Sequence, residues 1–460
     1  MDAASTTLAP TEVALVPGAL PWVDTFLGLR RPAAERIDRA IHPADEMLEF
    51  AIAEAAGDLD AGLAAYFVSG LEIAETIERI AAARFGGLAR VGAMLDFGCG
   101  YGRITRFLVG SLPAERLWVC DLVGDAVEFQ QHRFGVRGFR SAPRPEELAP
   151  PSAAPPFDLV YVGSLFTHLP PQRFSPWFDR LAGLLAPEGL LVMSVHDREL
   201  LPPQLSMPAA GICFRPHSES RTIDHAEYGS TWVTEDYVAR VIETPRATSA
   251  RSWRWRRVPR GLCAYQDLYL VSPSEAPDPA ALAIDPGPQG QIETCEALRP
   301  GELRLTGWAI GRGGCGVARV TAWLDGDRLG ESRDFKPRAD IAEAFGDPSF
   351  LVSGFGLDLP LPVPLHRAGA VLLVEAASPA GVPRTLYCGG LERLLHLTAR
   401  ENYLRHRQRV FELAEIVERM KHSRFWRLRR SWFRLKRALG LSSEDPEGPV
   451  VEPVDRGPAV

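Results

Sequence analysis

The chain of 460 residues has no C-x-x-C pair, and its seven cysteines are an odd number. That excludes a thioredoxin-like redox motif and a disulfide-built secreted scaffold, and predicts reduced, buried thiols. No group of His, Cys, Asp and Glu stands at metal-ligand spacing, so no metal-dependent mechanism is expected. No uninterrupted apolar run reaches about 18 residues, the length a membrane-spanning helix needs. The first residues lack a basic stretch ahead of an apolar one, which argues against a secretory signal. Positive charge is not in excess either: the formal net charge is −7, unsuited to a general nucleic-acid binder. These absences point to a cytoplasmic protein.

What is present is ample apolar content, 46% of residues, enough for packed cores in a chain long enough for two or three domains. Residues 1–33 are rich in Pro, Ala and Thr and read as a flexible N-terminus. From Ala44 to Ala83 the pattern is helical, with Ile73, Ile77 and Ile80 on one face. The most informative stretch follows. An apolar strand, Ala93 to Phe97, contains Asp96 and runs into Gly98-Cys99-Gly100-Tyr101-Gly102, with helical pattern from Arg103. Glycines at such a turn tolerate positive φ and let a ligand touch bare backbone. A second short apolar strand, Leu117 to Cys120, closes on Asp121, the usual distance for a carboxylate that binds ribose hydroxyls. A dinucleotide fingerprint would need glycine at position 103, which is Arg103, and no Gly-Lys pair follows to make a P-loop. Cys99 reads as a small apolar filler.

The D-x-G-x-G-x-G pattern from Asp96 to Gly102, with the later strand-ending Asp121, resembles the class I S-adenosylmethionine (SAM)-dependent methyltransferases. Phe157 to Gly163 reads as a buried parallel strand and Leu190 to His196 as the next, joined by a helix from Trp177 to Leu185 and the Ala186-Pro187-Glu188-Gly189 turn. The segments "FDLVYVGSLFTHL" and "LAPEG" are similar to the fourth strand of that family and its turn into the fifth. Thr234, backed by Glu235 and Asp236, should cap a helix through Ile242, and Cys263 to Val271 a last antiparallel strand. The resemblance covers roughly residues 60–272. It is strongest to methyltransferases associated with bacterial surface polysaccharide, and implies a Rossmann-like α/β domain with a seven-stranded sheet over 34–272.

By the same resemblance Asp96, Gly98, Gly100 and Gly102 shape the SAM turn and Asp121 takes the ribose. Ser164 and Phe166 line the methionine end, Tyr101 or Phe166 faces the sulfonium, and Ser141 or Ala142 lies by the adenine. Tyr66 and Gly70 are core positions that could also approach SAM. Methyl transfer is an in-line displacement, helped by a base where the acceptor is a hydroxyl. His196, with Asp197 adjacent, is the first choice of base and His168 the second, because both stand at carboxyl ends of strands. His217 and His225 fall in an insertion that would cap the acceptor pocket.

Pro- and Ser-rich residues 273–289 read as a linker. Over 290–390 short strands (Arg304 to Ile310, Val317 to Leu324, Gly354 to Leu359, Ala370 to Glu375) with a tight turn at Asp325-Gly326 predict a small β-sandwich. Its order of Trp308, Asp325-Gly326, Arg338 to Ile341 and Gly354-Phe355 resembles accessory domains of bacterial glycan-modifying enzymes. Residues 391–441 form a C-terminal helical segment: a long charged helix to Met420, then Phe425, Leu428, Trp432, Leu435 and Leu439 in one stripe. Lys421 to Arg437 holds eight Lys/Arg and no acid, which suits an anionic membrane surface; a coiled-coil or docking face is the other reading. The tail resembles those of polysaccharide-assembly enzymes. Residues 442–460 read as disordered.

The chain is therefore expected to be a SAM-dependent methyltransferase acting on a sugar of a surface glycan or its precursor. It is expected in the cytoplasm, peripheral on the inner face of the membrane through residues 421–441. A small-molecule methyltransferase, or a non-catalytic scaffold that gathers glycan-assembly enzymes, are the alternatives.

Overall fold

The computed structural model describes residues 20–31, 34–216, 227–244, 251–299, 301–313, 315–360, 370–396 and 398. Three helices come first: α1 (Leu20–Arg30), α2 (Glu46–Glu54) and α3 (Leu59–Phe85). The N-terminal stretch expected to be loose thus contains a helix. Val23, Phe26 and Leu27, spaced for one face, are at most 1% exposed in one core with Ile73, Ile77 and Ile80 of α3. Asp45 and Asp58 cap α2 and α3, accepting from Met47 N–H at 3.0 Å and Ala61 N–H at 3.0 Å.

A nine-stranded sheet follows: β1 (Met94–Phe97), β2 (Leu117–Asp121), β3 (Arg137–Arg140), β4 (Phe157–Val162), β5 (Leu185–Asp197), β6 (Ile212–Arg215), β7 (Ser230–Val233), β8 (Trp253–Leu262) and β9 (Gln266–Pro273). Strands β3-β2-β1-β4-β5 are parallel; β9 joins β5 antiparallel and β8 joins β9 antiparallel. That run of seven strands is the Rossmann-like methyltransferase sheet, and β7, parallel to the end of β5, with β6 beside it, extends it at the acceptor end. Helices α4 (Thr105–Leu108), α5 (Gly124–Phe134), α6 (Pro171–Ala182) and α7 (Glu235–Glu243) connect the strands. Apolar clusters cover both faces of the sheet, as a parallel sheet requires.

Local departures have local causes. The helix after the glycine turn is only four residues long. Helix α6 begins at Pro171, because proline at the first helical position loses no hydrogen bond there. The last strand begins at Gln266, since Cys263 and Ala264 adopt φ of +51° and +53° and turn the chain. Thr234 caps α7 as expected, its hydroxyl accepting from Tyr237 N–H at 3.2 Å.

Beyond residue 273 the expected linker is packed: Ala276, Leu282 and Ile284 are buried. Strands β10 (Pro288–Arg299), β11 (Glu302–Gly311), β12 (Arg319–Leu324), β13 (Asp327–Ser332), β14 (Lys336–Pro337), β15 (Val352–Pro360), β16 (Val371–Ala377) and β17 (Pro383–Gly390), with helix α8 (Ala339–Ala344), come next. They make two four-stranded sheets, β10-β11-β15-β14 and β13-β12-β16-β17, around one apolar core. Asp325 and Gly326, at φ +51° and +91°, form the tight turn from β12 to β13. Residues 391–396 are helical. The basic stripe at 421–441, the acidic tail at 442–460, His217 and His225 lie outside the described residues. Among the described residues no helix is long and apolar enough to cross a membrane.

Candidate active site

The glycine turn sits at the carboxyl ends of β1 and β2. Gly98, Gly100 and Gly102 have φ of +77°, +52° and +81°, a region other residues rarely adopt. A Cβ on Gly98 or Gly100 would meet nothing within 4 Å, so this backbone faces open space, whereas one on Gly102 would strike Phe134 at 2.5 Å. Asp121 holds the turn in shape. Gly100 N–H donates to its Oδ2 at 2.8 Å and Val123 N–H to its Oδ1 at 3.0 Å. Each carboxylate oxygen keeps a further lone-pair site for another donor. Burial pushes the Asp121 pKa up, opposed by those amide bonds.

Asp96 is 1% exposed and its Oδ2 has no hydrogen-bond partner. Burial first, and the Asp121 charge second, push its pKa up to about 7, with Arg103 opposing. On the next strand Tyr161 pairs in register with Asp96, and its hydroxyl is also buried without a partner. Two unsatisfied polar groups beside an open glycine turn are costly unless a ligand completes them.

The surrounding elements lock this corner. Arg106, 2% exposed, donates to Gly102 O at 3.1 Å and to the Asp38 and Ala40 carbonyls at 3.0 Å each. Gln130 Nε2 donates to Gly100 O at 2.7 Å. Tyr101 stacks flat on His42, ring centroids 4.3 Å apart. Tyr66 is core, its hydroxyl donating to Asp45 at 2.6 Å, and Gly70 packs against the Arg103 backbone. Ser141 lies at the end of β3, its N–H donating to Asp121 O at 2.8 Å, with Ala142 next to it.

A second group of polar and aromatic residues lies at the ends of β4 and β5. Ser164 has φ of +61°; its N–H donates to Ser194 Oγ at 2.7 Å and its hydroxyl is 3.0 Å from Gln266 Nε2. Phe166 is fully buried, 4.8 Å from Phe174 in the α6 core. His168 Nδ1 lies 2.7 Å from Gly229 O, and its ring stacks on Tyr228 at 4.5 Å. That carbonyl can only accept, so Nδ1 carries a proton. His196 Nδ1 is buried without a partner; burial first, then the nearby His168, push its pKa down to about 4. Asp197 does not pair with His196; it pairs with Arg257 at 3.1 Å. No cluster of metal-binding side chains occurs among the described residues.

The methyltransferase-domain family model matches residues 95–191. The cofactor is SAM. The turn fits it: open glycine backbone, a carboxylate at the end of β2, and the unpartnered Asp96 and Tyr161 beside them. No curated protein matches the chain. Solved structures similar to it include the complex of DhpI with S-adenosylhomocysteine (17% identity, covering 50% of this chain and 96% of that one, TM-score 0.31). Another is the 1,6-didemethyltoxoflavin-N1-methyltransferase of Burkholderia thailandensis (18%, 59% and 96%, 0.32). A third is the N-methyltransferase NodS of Bradyrhizobium japonicum WM9 (16%, 44% and 86%, 0.28).

Of the residues named from sequence, the fold brings Asp96, Gly98, Gly100, Tyr101, Gly102 and Asp121 into one corner. Ser164, His168 and His196 stand at the neighbouring strand ends. Sequence reading missed His42, Arg106, Gln130, Tyr161 and Gln266. Tyr161 had a usable signal, a tyrosine one residue from the carboxyl end of a mostly apolar strand; the others act through contacts distant in sequence.

Proposed function

We propose that the chain is a SAM-dependent methyltransferase that O-methylates a sugar hydroxyl of a surface glycan or its precursor. The glycine turn beside Asp121, with Asp96 and Tyr161 left unsatisfied, carries the cofactor half of this reading. The likeness of residues 60–272 to polysaccharide-associated methyltransferases supports the acceptor. SAM, when bound, supplies an electrophilic methyl on a sulfonium.

The chain's own groups do the rest. Asp121 would accept the ribose hydroxyls, and the backbone at Gly98 and Gly100 would admit the ligand closely. Asp96 would be held ionised by an ammonium, and Tyr161 would donate its hydroxyl. Between the two histidines the geometry favours His168 as base. Its Nδ1 donates to the Gly229 carbonyl, which fixes the orientation of the ring at the end of β4. His196, with its pKa near 4, stays neutral but is a weak base at neutral pH. His168 would take the proton that the acceptor hydroxyl loses.

Calorimetric titration of SAM into the Asp121→Ala protein tests the reading. A carboxylate accepting two hydroxyls makes bonds worth roughly 1.5–3 kcal/mol each, so affinity should fall at least about tenfold. The Asp121→Asn protein, which keeps an acceptor for Val123 N–H, should stay folded and also bind more weakly. Unchanged affinity in both removes Asp121 from the site.

A further inference from the structure

The hairpin joining β8 to β9 spends backbone strain to expose an aromatic ring. Arg260, Cys263 and Ala264 adopt φ of +52°, +51° and +53° with no glycine among them. Left-handed conformation crowds Cβ against the following carbonyl and is disfavoured for an ordinary residue. What the turn delivers is Tyr265, a large side chain 51% exposed, set edge-on to His196 with ring centroids 5.5 Å apart. The hairpin is held rigidly. Arg260 N–H donates to Asp267 Oδ1 at 2.9 Å, its guanidinium to Tyr265 O at 2.8 Å, and Gln266 ties the exit to Ser164. Trp232 flanks His196 on another side at 6.1 Å, and Tyr228 stacks on His168.

Several charged groups of this corner are engaged with one another. Arg257 pairs with Asp197, Glu235 and Asp267, and Arg260 with Glu199 at 3.0 Å. Aromatic rings around two histidines, with the buried ions beside them already matched, are suited to an uncharged partner that has a flat apolar face.

We infer that Tyr265 is a specificity-determining wall of the acceptor pocket, packing against the apolar face of a neutral, ring-bearing acceptor that carries a hydroxyl. The inference rests on the methyltransferase reading for the word acceptor, but the ring-binding surface does not need SAM to exist. Such a face is offered by the C–H side of a pyranose and equally by a planar aromatic ring. The strain is explained on this reading, because glycine in the turn would leave Tyr265 free to swing away from His196.

The test uses the full-length protein with S-adenosylhomocysteine and ligand-observed saturation-transfer NMR. The probes are methyl β-D-glucopyranoside, its charged counterpart methyl β-D-glucuronide, and 4-methylphenol. One of the two neutral probes should give a signal that falls at least fivefold in Tyr265→Ala and is retained in Tyr265→Phe; which one answers tells sugar from planar acceptor. A stronger signal from the glucuronide, or no Tyr265-dependent signal from either neutral probe, overturns the inference. Calorimetry with S-adenosylhomocysteine runs alongside. Its binding should be unchanged in Tyr265→Ala, and failure of the unmodified protein to bind it sinks the methyltransferase reading separately.

Discussion

Replacing Asp96 by Asn should make the protein more stable and a poorer SAM binder, in a way that depends on pH. The buried Asp96 carboxyl is raised from 3.8 to about 7 in the folded chain, first by burial and then by Asp121. Its folded pKa lies above the unfolded value, so the folded state holds more protons between about pH 4 and 7. Stability from this group is therefore intact below pH 4 and lost as pH rises through 7. That gap corresponds to about 4 kcal/mol at about 1.4 kcal/mol per pH unit. An asparagine amide avoids the loss but inherits the poor hydrogen bonding of Oδ2, at a cost of about 1–3 kcal/mol. A net gain of about 1–3 kcal/mol should then appear at pH 8, seen as a Tm higher by a few degrees. At pH 5 the aspartic acid is already neutral when folded, and most of the gain should vanish. SAM affinity at pH 8 should meanwhile fall about tenfold or more, because a charged acceptor of its ammonium is gone. Thermal unfolding and calorimetry at the two pH values decide it. An equal Tm change at pH 5 and pH 8, or unaltered SAM affinity, refutes the reasoning.

The histidines and the tail give two further expectations. His168→Ala should lower methyl transfer by about 10²–10⁴-fold with SAM affinity kept, while His196→Ala costs far less; mass spectrometry of surface glycan from cells carrying each variant is the readout, and the reverse order makes His196 the base. A chain ending at Met420 should bind SAM normally but no longer co-sediment with anionic vesicles at low salt, since each basic residue near such a surface contributes about 1 kcal/mol; unchanged sedimentation ends the membrane reading.

The cofactor corner was readable because its geometry is local. Gly98, Gly100 and Gly102 announce a turn that needs positive φ, and Asp121 follows on the neighbouring strand, so one short stretch carries the arrangement. The acceptor side was readable only in part. His168 and His196 stood out by their places at strand ends, but their ranking depends on Gly229, sixty-one residues along the chain from His168. Phe166, named from the family resemblance, is fully buried, which its neighbours in sequence do not announce. The left-handed Ser164 redirects the chain there, and the ring enters the core against Phe174. Helix α1 was hidden by its composition. Its helical moment is weak, and it forms because tertiary packing against α3 outweighs propensity.

Composition also suggested that the β-sandwich hangs from a linker, and the buried ions argue against such freedom. Glu72 of α3 accepts from Arg384 of β17 at 2.7 Å and from Thr385 N–H at 2.9 Å. Arg384 also donates to Pro286 O at 2.9 Å, within the supposed linker. Arg30 of α1 bridges Glu75 of α3 and Glu375 of β16. The Glu72 and Arg384 side chains are 7% and 6% exposed, so parting the two pieces would break a buried ion pair. Removing one member of such a pair typically costs about 3–5 kcal/mol, more than a flexible attachment could tolerate. The seam fixes the sandwich to the helices that also brace the glycine turn through Arg106. From there Arg312, just past β11, lies 3.7 Å from Glu199, the same carboxylate that holds Arg260 at the base of the Tyr265 hairpin. The sandwich sheets are thus connected by ion pairs to the Tyr265 hairpin, and a change in the sandwich has a physical route to that hairpin that does not pass through the linker.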